Sequence, residues 1–110
     1  MSSSRLSKPA MILKKIIIET KPGQRAAFLE AQAIWNAAMA ACDGFLGVTV
    51  ASVGESAEIE ILTLWRDHDS LAGFMAGDHD KVERETGIAE TYSRCEVTLM
   101  DVVQQLPAID

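Results

Sequence analysis

Hydrophobic and polar positions divide the first half of the chain into a strand followed by a helix. Met11 to Thr20 (MILKKIIIET) is rich in β-branched residues, and its three successive isoleucines place apolar groups on both faces of a strand. Lys21-Pro22-Gly23 then breaks this strand. From Gln24 to Cys42, apolar residues recur at gaps of three and four, which predicts a helix that ends before Asp43-Gly44. Its buried stripe comprises Phe28, Ala31, Trp35, Ala38 and Cys42.

Two strands and a turn follow this helix. Phe45 to Val53 and Ala57 to Arg66 have the alternation of strands, and Gly54-Glu55-Ser56 joins them as a turn. The second half of the latter strand is apolar on both faces, as in the first strand of the chain. Tyr92 to Val103 is the last predicted strand, with Cys95, Val97 and Leu99 on one face.

The segment between the third and fourth strands has helical spacing. Asp67 or Asp69 is expected to accept hydrogen bonds from the free amides at its start. Gly77 leaves two alternatives: the helix continues through it, or it breaks there and Asp78 caps a second short helix. Gly87 is expected to end the helical region.

The order β-α-β-β-α-β predicts an α+β fold of the ferredoxin-like kind, with a four-stranded antiparallel sheet. The first and third strands are central in that topology, and they are the strands with apolar residues on both faces. We expect residues 11–110 to form one domain, preceded by a flexible tail at residues 1–10.

Two helices cover only one face of such a sheet. The other face would expose an apolar patch that is unusual for a monomer, and burying each of its large side chains is worth roughly 1.5–3 kcal/mol. The pattern therefore predicts a homodimer in which the open faces pack together.

Composition and charge narrow the choice of partners. The chain has 110 residues, a net charge of −6 and a single basic cluster at Lys14-Lys15 outside the tail, which disfavours nucleic acid and anionic membranes as partners. The sequence lacks a signal peptide's apolar region and any stretch long enough to span a membrane, so a cytoplasmic location is expected. Cys42 and Cys95 fall on apolar faces and are predicted to be buried free thiols.

Five short segments occur in order within residues 11–103: KKIIIETKPGQRAAF (14–28), AQAIW (31–35), GFLG (44–47), ILTLWRDHDSLAGFM (61–75) and DHDKV (78–82). Together they resemble the dimeric α/β-barrel superfamily, which includes small antibiotic-biosynthesis-type monooxygenases. Within it, the chain looks most like the YdbC-like bacterial proteins of unknown function.

The resemblance implies a dimeric barrel and, as one activity, oxygenation of an aromatic or quinol-type substrate without a cofactor. Haem-degrading members of the superfamily carry an Asn, a Trp and a His at places where this chain has Ile16, Phe74 and Arg84. Haem degradation is therefore not expected, and no cofactor is predicted.

His79 is the leading candidate for acid–base chemistry. Leu71, Met75, His79 and Val82 are spaced by 4, 4 and 3, so a helix continuing through Gly77 would place the imidazole beside the buried stripe. There it would take a proton from an acidic substrate such as a quinol, with Asp80 as a weaker catalytic candidate. The alternative is a structural histidine bonded to a backbone carbonyl or to Glu83.

The triplets Asp67-His68-Asp69 and Asp78-His79-Asp80 invite a metal interpretation. Along a straight helix the two histidines lie about 16 Å apart, too far for one ion, unless the chain folds back at Gly77. A helix cap explains the first triplet better, and no metal site is predicted.

A ligand pocket between sheet and helices is the remaining candidate feature. Trp35, Trp65 and Phe74 would shape it, although core packing alone also explains them. Gln32 and Asn36, one turn apart, would bond a ligand carbonyl if they point inward, whereas such residues generally face solvent.

Three functions remain open at this point. The first is a monooxygenase-like enzyme in which His79 assists proton removal. The second is a non-catalytic small-molecule-binding or stress-response dimer. The third is a purely structural dimer, which predicts no cavity.

Overall fold

The computed structural model describes residues 10–109, and the elements follow the predicted order. Residues 1–9 of the expected flexible tail lie outside the described residues, so that expectation stays a prediction. The elements are β1 (Ile12–Thr20), α1 (Arg25–Ala40), β2 (Phe45–Ala51), β3 (Glu58–Trp65), α2 (His68–Ala76), α3 (His79–Thr86), a 3-10 helix (Ile88–Thr91) and β4 (Tyr92–Asp101).

The four strands form one sheet in the order β2-β3-β1-β4, and all its neighbouring strands are antiparallel. β1 and β3 are therefore central, as their apolar residues on both faces predicted. The ferredoxin-like α+β fold is confirmed. The register places Ile18 opposite Ile59 and Ile16 opposite Ile61, so that these side chains share one face of the sheet.

The helices cover that face and form the core with it. Ile12, Ile18 and Trp65 of the central strands are almost completely buried. Phe28 of α1 and Phe74 of α2 pack against them from the helical layer. Burial of each such side chain contributes roughly 1.5–3 kcal/mol, so this layer accounts for much of the stability of the domain.

Within residues 10–109, no helix covers the opposite face of the sheet. Leu13 pairs with Leu64 on β3 and with Met100 on β4, and all three side chains lie on this side. None of them is buried, and Met100 is 38% exposed. We call the apolar residues of this side, Leu13, Ile17, Leu62, Leu64 and Met100, the open face.

β4 extends beyond the cover of the helices, which corrects one prediction. Cys95, Val97 and Leu99 do share a face, the one directed to the helices, but Val97 and Leu99 are 54% and 51% exposed. Cys95 is an exposed free thiol rather than a buried one, because it lies on an edge strand. Cys42, after α1, is only partly buried.

The second helical region breaks at Gly77, which settles the choice left open by the sequence. Asp67 caps α2, since its carboxylate accepts a hydrogen bond of 2.8 Å from the amide of Ser70. Asp78, expected to cap α3, does not, because its backbone is helical (φ −84°, ψ −16°) rather than extended. Gly87 ends α3 with φ 61°, as predicted.

None of the helices within residues 10–109 is long and apolar enough to cross a membrane.

Candidate functional site

A cavity of about 150 Å³ lies between the helices and the sheet. Its sheet side is formed by residues of the three strands β1, β3 and β4, and its helical side by residues of α1, α2 and α3. The exposed Val97 is among the lining residues, so the cavity opens where β4 runs beyond the helices. The purely structural hypothesis did not predict such a cavity.

His79, at the first position of α3, lines this cavity. Its side chain is 27% exposed, and Nδ1 lies 3.1 Å from Oδ1 of Asp80. Because a carboxylate only accepts hydrogen bonds, this contact makes Nδ1 the protonated nitrogen of the neutral ring and leaves Nε2 as the acceptor. Among residues 10–109, the hydrogen-bond partner of His79 is Asp80, and neither a backbone carbonyl nor Glu83 has the role that a structural histidine suggested.

Asp80 does not line the cavity. Its side chain is 83% exposed and reaches the imidazole from the solvent side. It is therefore placed to orient His79 and to fix its tautomer, and not to contact a ligand directly.

Aromatic rings form much of the wall around His79. The imidazole packs edge-to-face against Trp35 at 5.0 Å between ring centroids and against Phe74 at 6.1 Å. Phe74 also contacts Trp65 at 5.7 Å. Trp35 and Trp65 line the cavity, whereas Phe74, expected in the pocket, lies behind its wall and supports these rings.

Both indole N–H groups are used within the protein. Nε1 of Trp35 donates to Oγ1 of Thr86 at 3.1 Å, which ties α1 to α3. Nε1 of Trp65 donates to Oγ1 of Thr63 at 3.0 Å along β3. These bonds fix the two rings, so the tryptophans offer a ligand apolar surface rather than a hydrogen bond.

Gln32 and Asn36 were proposed together, but only one of them reaches the cavity. Gln32 is 7% exposed and lines it, although such residues generally face solvent. Asn36 lies one turn further along α1, outside the lining, and its Oδ1 accepts a hydrogen bond of 2.9 Å from Nε2 of Gln32. Asn36 thus positions the amide of Gln32.

Lys14, Glu83 and Tyr92 also line the cavity, and sequence reasoning did not place them there. The signal that could have found Lys14 is strand alternation. Side chains two residues apart in a strand point to the same face, so Lys14 shares a face with the inward-facing Ile16 and Ile18. Glu83 lies one helical turn after His79, so any face that presents His79 to the cavity presents Glu83 as well.

Burial changes the ionisation of two of these groups. Desolvation lowers the pKa of Lys14, an effect that the nearby Cys95 partly offsets. Desolvation raises the pKa of Tyr92, and the negative forms of Cys95 and Glu83 raise it further. Tyr92 therefore remains a neutral phenol at physiological pH and can act as a hydrogen-bond donor.

The arrangement combines a largely aromatic and aliphatic lining with the imidazole of His79, the amine of Lys14 and a few other polar groups. An imidazole nitrogen beside aromatic side chains can accept a proton from the hydroxyl of a bound aromatic compound. Within residues 10–109, no group of three or more His, Cys, Asp or Glu side chains is placed to hold a metal ion.

Comparison with known proteins identifies the family of this chain. The model of a domain of unknown function, DUF4937, matches residues 12–100. The chain belongs to this family. Among curated proteins it is similar to the uncharacterised protein YdbC of Bacillus subtilis (strain 168), with 28% identity over 94 residues that cover 83% of this chain and 78% of YdbC.

Solved structures share the fold of this DUF4937 domain. SnoaB, a cofactor-independent oxygenase from Streptomyces nogalater, superposes with a TM-score of 0.77 at 19% identity, covering 90% of this chain and 99% of SnoaB. NE2512, a protein of unknown function from Nitrosomonas europaea, superposes with a TM-score of 0.71 at 18% identity, covering 90% of this chain and 96% of NE2512.

The comparisons confirm the resemblance to YdbC-like proteins, and the solved structures confirm a fold shared with small proteins such as SnoaB. Since these two structural neighbours are less than 20% identical to this chain, they establish the fold alone. They include both an oxygenase and a protein of unknown function, so the fold leaves the activity open.

Proposed function

We propose that this protein is an oxygenase that acts without a cofactor on a hydroxylated aromatic, quinol-type substrate. The observation that carries the proposal is the position of His79 on the wall of an aromatic cavity, with Nδ1 held by Asp80. The fold shared with SnoaB supports it as an analogy.

The size of the cavity favours a single reacting ring. The cavity has a volume of about 150 Å³, comparable to an engineered protein cavity that binds benzene. Trp35, Trp65 and Phe28 are among the lining residues, and their rings can pack against the ring of a ligand. Substituents of a larger substrate would extend out of the cavity through the opening beside β4.

In the proposed reaction, Nε2 of His79 accepts the proton of a ring hydroxyl. The phenolate gives one electron to O₂, and the two radicals combine at the ring carbon opposite the oxygen, which carries a hydrogen. The peroxide anion formed there takes the proton from His79 and becomes a hydroperoxide. Nε2 of His79 then removes the hydrogen of the same ring carbon as a proton, the O–O bond breaks to leave a quinone, and the departing hydroxide takes this proton to form water. One oxygen atom enters the product and the other enters water, so the substrate itself supplies all four electrons.

Oxygen uptake, corrected for autoxidation without protein, tests the proposal with single-ring phenols and quinols that have a hydrogen opposite one hydroxyl. We expect His79→Gln to lower the protein-dependent rate by about 10²- to 10⁴-fold, the usual contribution of a general base. His68→Gln is the matched control, because His68 lies in the similar triplet Asp67-His68-Asp69 but its side chain is 68% exposed and outside the cavity.

Two results would contradict this function. Equal rates for wild type and His79→Gln would show that His79 is not the base. No uptake above background with any of these compounds, combined with their saturable binding, would instead support the non-catalytic binding protein.

We also propose that the protein is a homodimer in which the open faces of two sheets pack together. Leu13, Leu62 and Leu64 are only partly covered within one chain, and a second copy would remove them from water. The cavity lies on the other side of the sheet, so each subunit would keep its own site.

A further inference from the structure

Lys14 is an unusual residue for its position. It lies in the central strand β1 between Ile12 and Ile16, on the face covered by the helices, where it pairs with Thr63 on β3 and Leu99 on β4. It is partly buried and forms part of the sheet side of the cavity, across from His79 on the helical side.

The ammonium group has a weak partner. Nζ of Lys14 donates to Sδ of Met75 on α2 at 3.6 Å, and a thioether is a poor acceptor. Within residues 10–109, no carboxylate lies within 4.0 Å of Nζ.

Other cationic side chains of the domain form ion pairs with carboxylates. Arg66 reaches Asp43 at 2.8 Å, Arg94 reaches Glu96 at 2.7 Å, and Lys81 reaches Glu85 at 3.8 Å. These pairs lie at exposed positions, where a partner is least needed. Lys14, the more buried cation, lacks one, and burying a charge without an opposite charge is unfavourable.

We propose that Lys14 binds the anionic oxygen of the substrate, which therefore belongs to the acidic phenols and is held as the phenolate. This inference rests on the proposed function and narrows its substrate class. The ring hydroxyl donates its proton to Nε2 of His79, and the phenolate oxygen then accepts a hydrogen bond from Nζ of Lys14. No bond other than O–H is broken in this step.

Pairing with a phenolate accounts for both the partial burial of Lys14 and its weak hydrogen-bond partner. A phenolate replaces the thioether of Met75 as the acceptor, and a charge-assisted hydrogen bond in a partly dry cavity is stronger than a neutral one. It also makes the site selective, because a ring without an acidic hydroxyl leaves the ammonium unpaired.

Binding of 4-nitrophenol, followed without oxygen by the visible absorbance of its phenolate, tests this inference. We expect wild type to increase the phenolate fraction of the bound probe at a pH where the free probe is mostly neutral. Lys14→Met should remove that increase and weaken binding by about tenfold or more, whereas Lys14→Arg should retain most of it.

Two controls show whether the cavity survives the substitution. 4-Nitrotoluene has the same ring without the hydroxyl and should bind Lys14→Met at least as tightly as wild type, measured by displacement of a fluorescent apolar probe. Lys15→Met changes the adjacent lysine on the other face of β1 and should leave the binding of 4-nitrophenol unchanged.

Equal affinity of wild type and Lys14→Met for 4-nitrophenol would overturn the inference, as would binding of the probe in its neutral form only. Because the assay needs no turnover, a protein that binds the phenolate through Lys14 but consumes no oxygen would refute the oxygenase and keep the phenolate site.

Discussion

Lys14 and Lys15 show how much a single position along a strand decides. The two residues are adjacent and chemically identical, and in the sequence they form one basic cluster. In the sheet, Lys14 points into the cavity while Lys15 lies on the other side, opposite Leu62. Alternation along β1 separates them, so one lysine belongs to the candidate site and the other borders the open face.

Ile59 is a residue whose role is entirely one of packing. It is 1% exposed, it lies opposite Ile18 in the register, and it does not line the cavity. We expect Ile59→Ala to lower the free energy of unfolding by about 2–5 kcal/mol, measured by denaturant titration. Val53→Ala, at a position 90% exposed, should change it by no more than about 0.5 kcal/mol. Similar losses for both variants would mean that Ile59 is not in the core.

The break between α2 and α3 is the feature of element scale that matters most for the site. The spacing of Leu71, Met75 and His79 predicted that His79 borders the buried stripe only if the helix continued through Gly77. The helix ends at Ala76, Met75 is 39% exposed, and His79 begins a new helix that faces the cavity. His79 thus lines the cavity as the first residue of α3, and not as part of one continuous helix with Leu71 and Met75.

The cap of α2 makes a pH-dependent contribution to stability. Hydrogen bonds from the hydroxyl and then the amide of Ser70 lower the pKa of Asp67 from its ordinary value of 3.8. A carboxyl with a lowered folded-state pKa stabilises the protein above its unfolded-state pKa, and this stabilisation is lost as the pH falls from about 3.8 through the lower folded-state value.

We therefore expect the stability advantage of wild type over Asp67→Asn to shrink as the pH falls through that window, in unfolding curves monitored by circular dichroism. Asp69→Asn is the control, since Asp69 lies in the first turn of α2 but is exposed and is not the cap. An advantage that stays constant down to the lowest pH would contradict the role of the Asp67 carboxylate.

At the scale of the whole molecule, the sheet separates two different surfaces. The helices and the cavity occupy one side, and the open face occupies the other. The same central strands supply both, which is why β1 and β3 are apolar on both faces. A change in the open face should therefore alter assembly without entering the cavity.

The dimer can be tested with Leu62→Lys. A charge at the centre of a packed apolar face is costly to bury, so we expect this variant to have the mass of one 11.9 kDa chain in light scattering at micromolar concentration, while wild type has twice that mass. Ile34→Lys is the control, because Ile34 is an exposed apolar residue of α1, away from the open face. A wild type with the mass of one chain would refute the dimer.

Much of the fold could be predicted because its signals are local. A few neighbouring residues determine the strand and helix periodicities, the turn at residues 54–56 and the end of α3 at Gly87. The apolar character of β1 and β3 was enough to place these strands at the centre of the sheet. The exposure of Cys95 could not be predicted in this way, since it depends on how far the helices extend over an edge strand.

The sequence by itself determined the element order, the central strands and the presence of one candidate base, His79. Only the tertiary structure decided which side chains meet that base. Lys14 and Tyr92 come from strands, Gln32 from α1 and Glu83 from α3, and they line one cavity only because packing brings distant segments together. The tertiary structure also placed Phe74 and Asn36 outside the lining of the cavity. Periodicity shows which face of an element is inward, but the position of a side chain along a cavity depends on how the helices pack across the sheet.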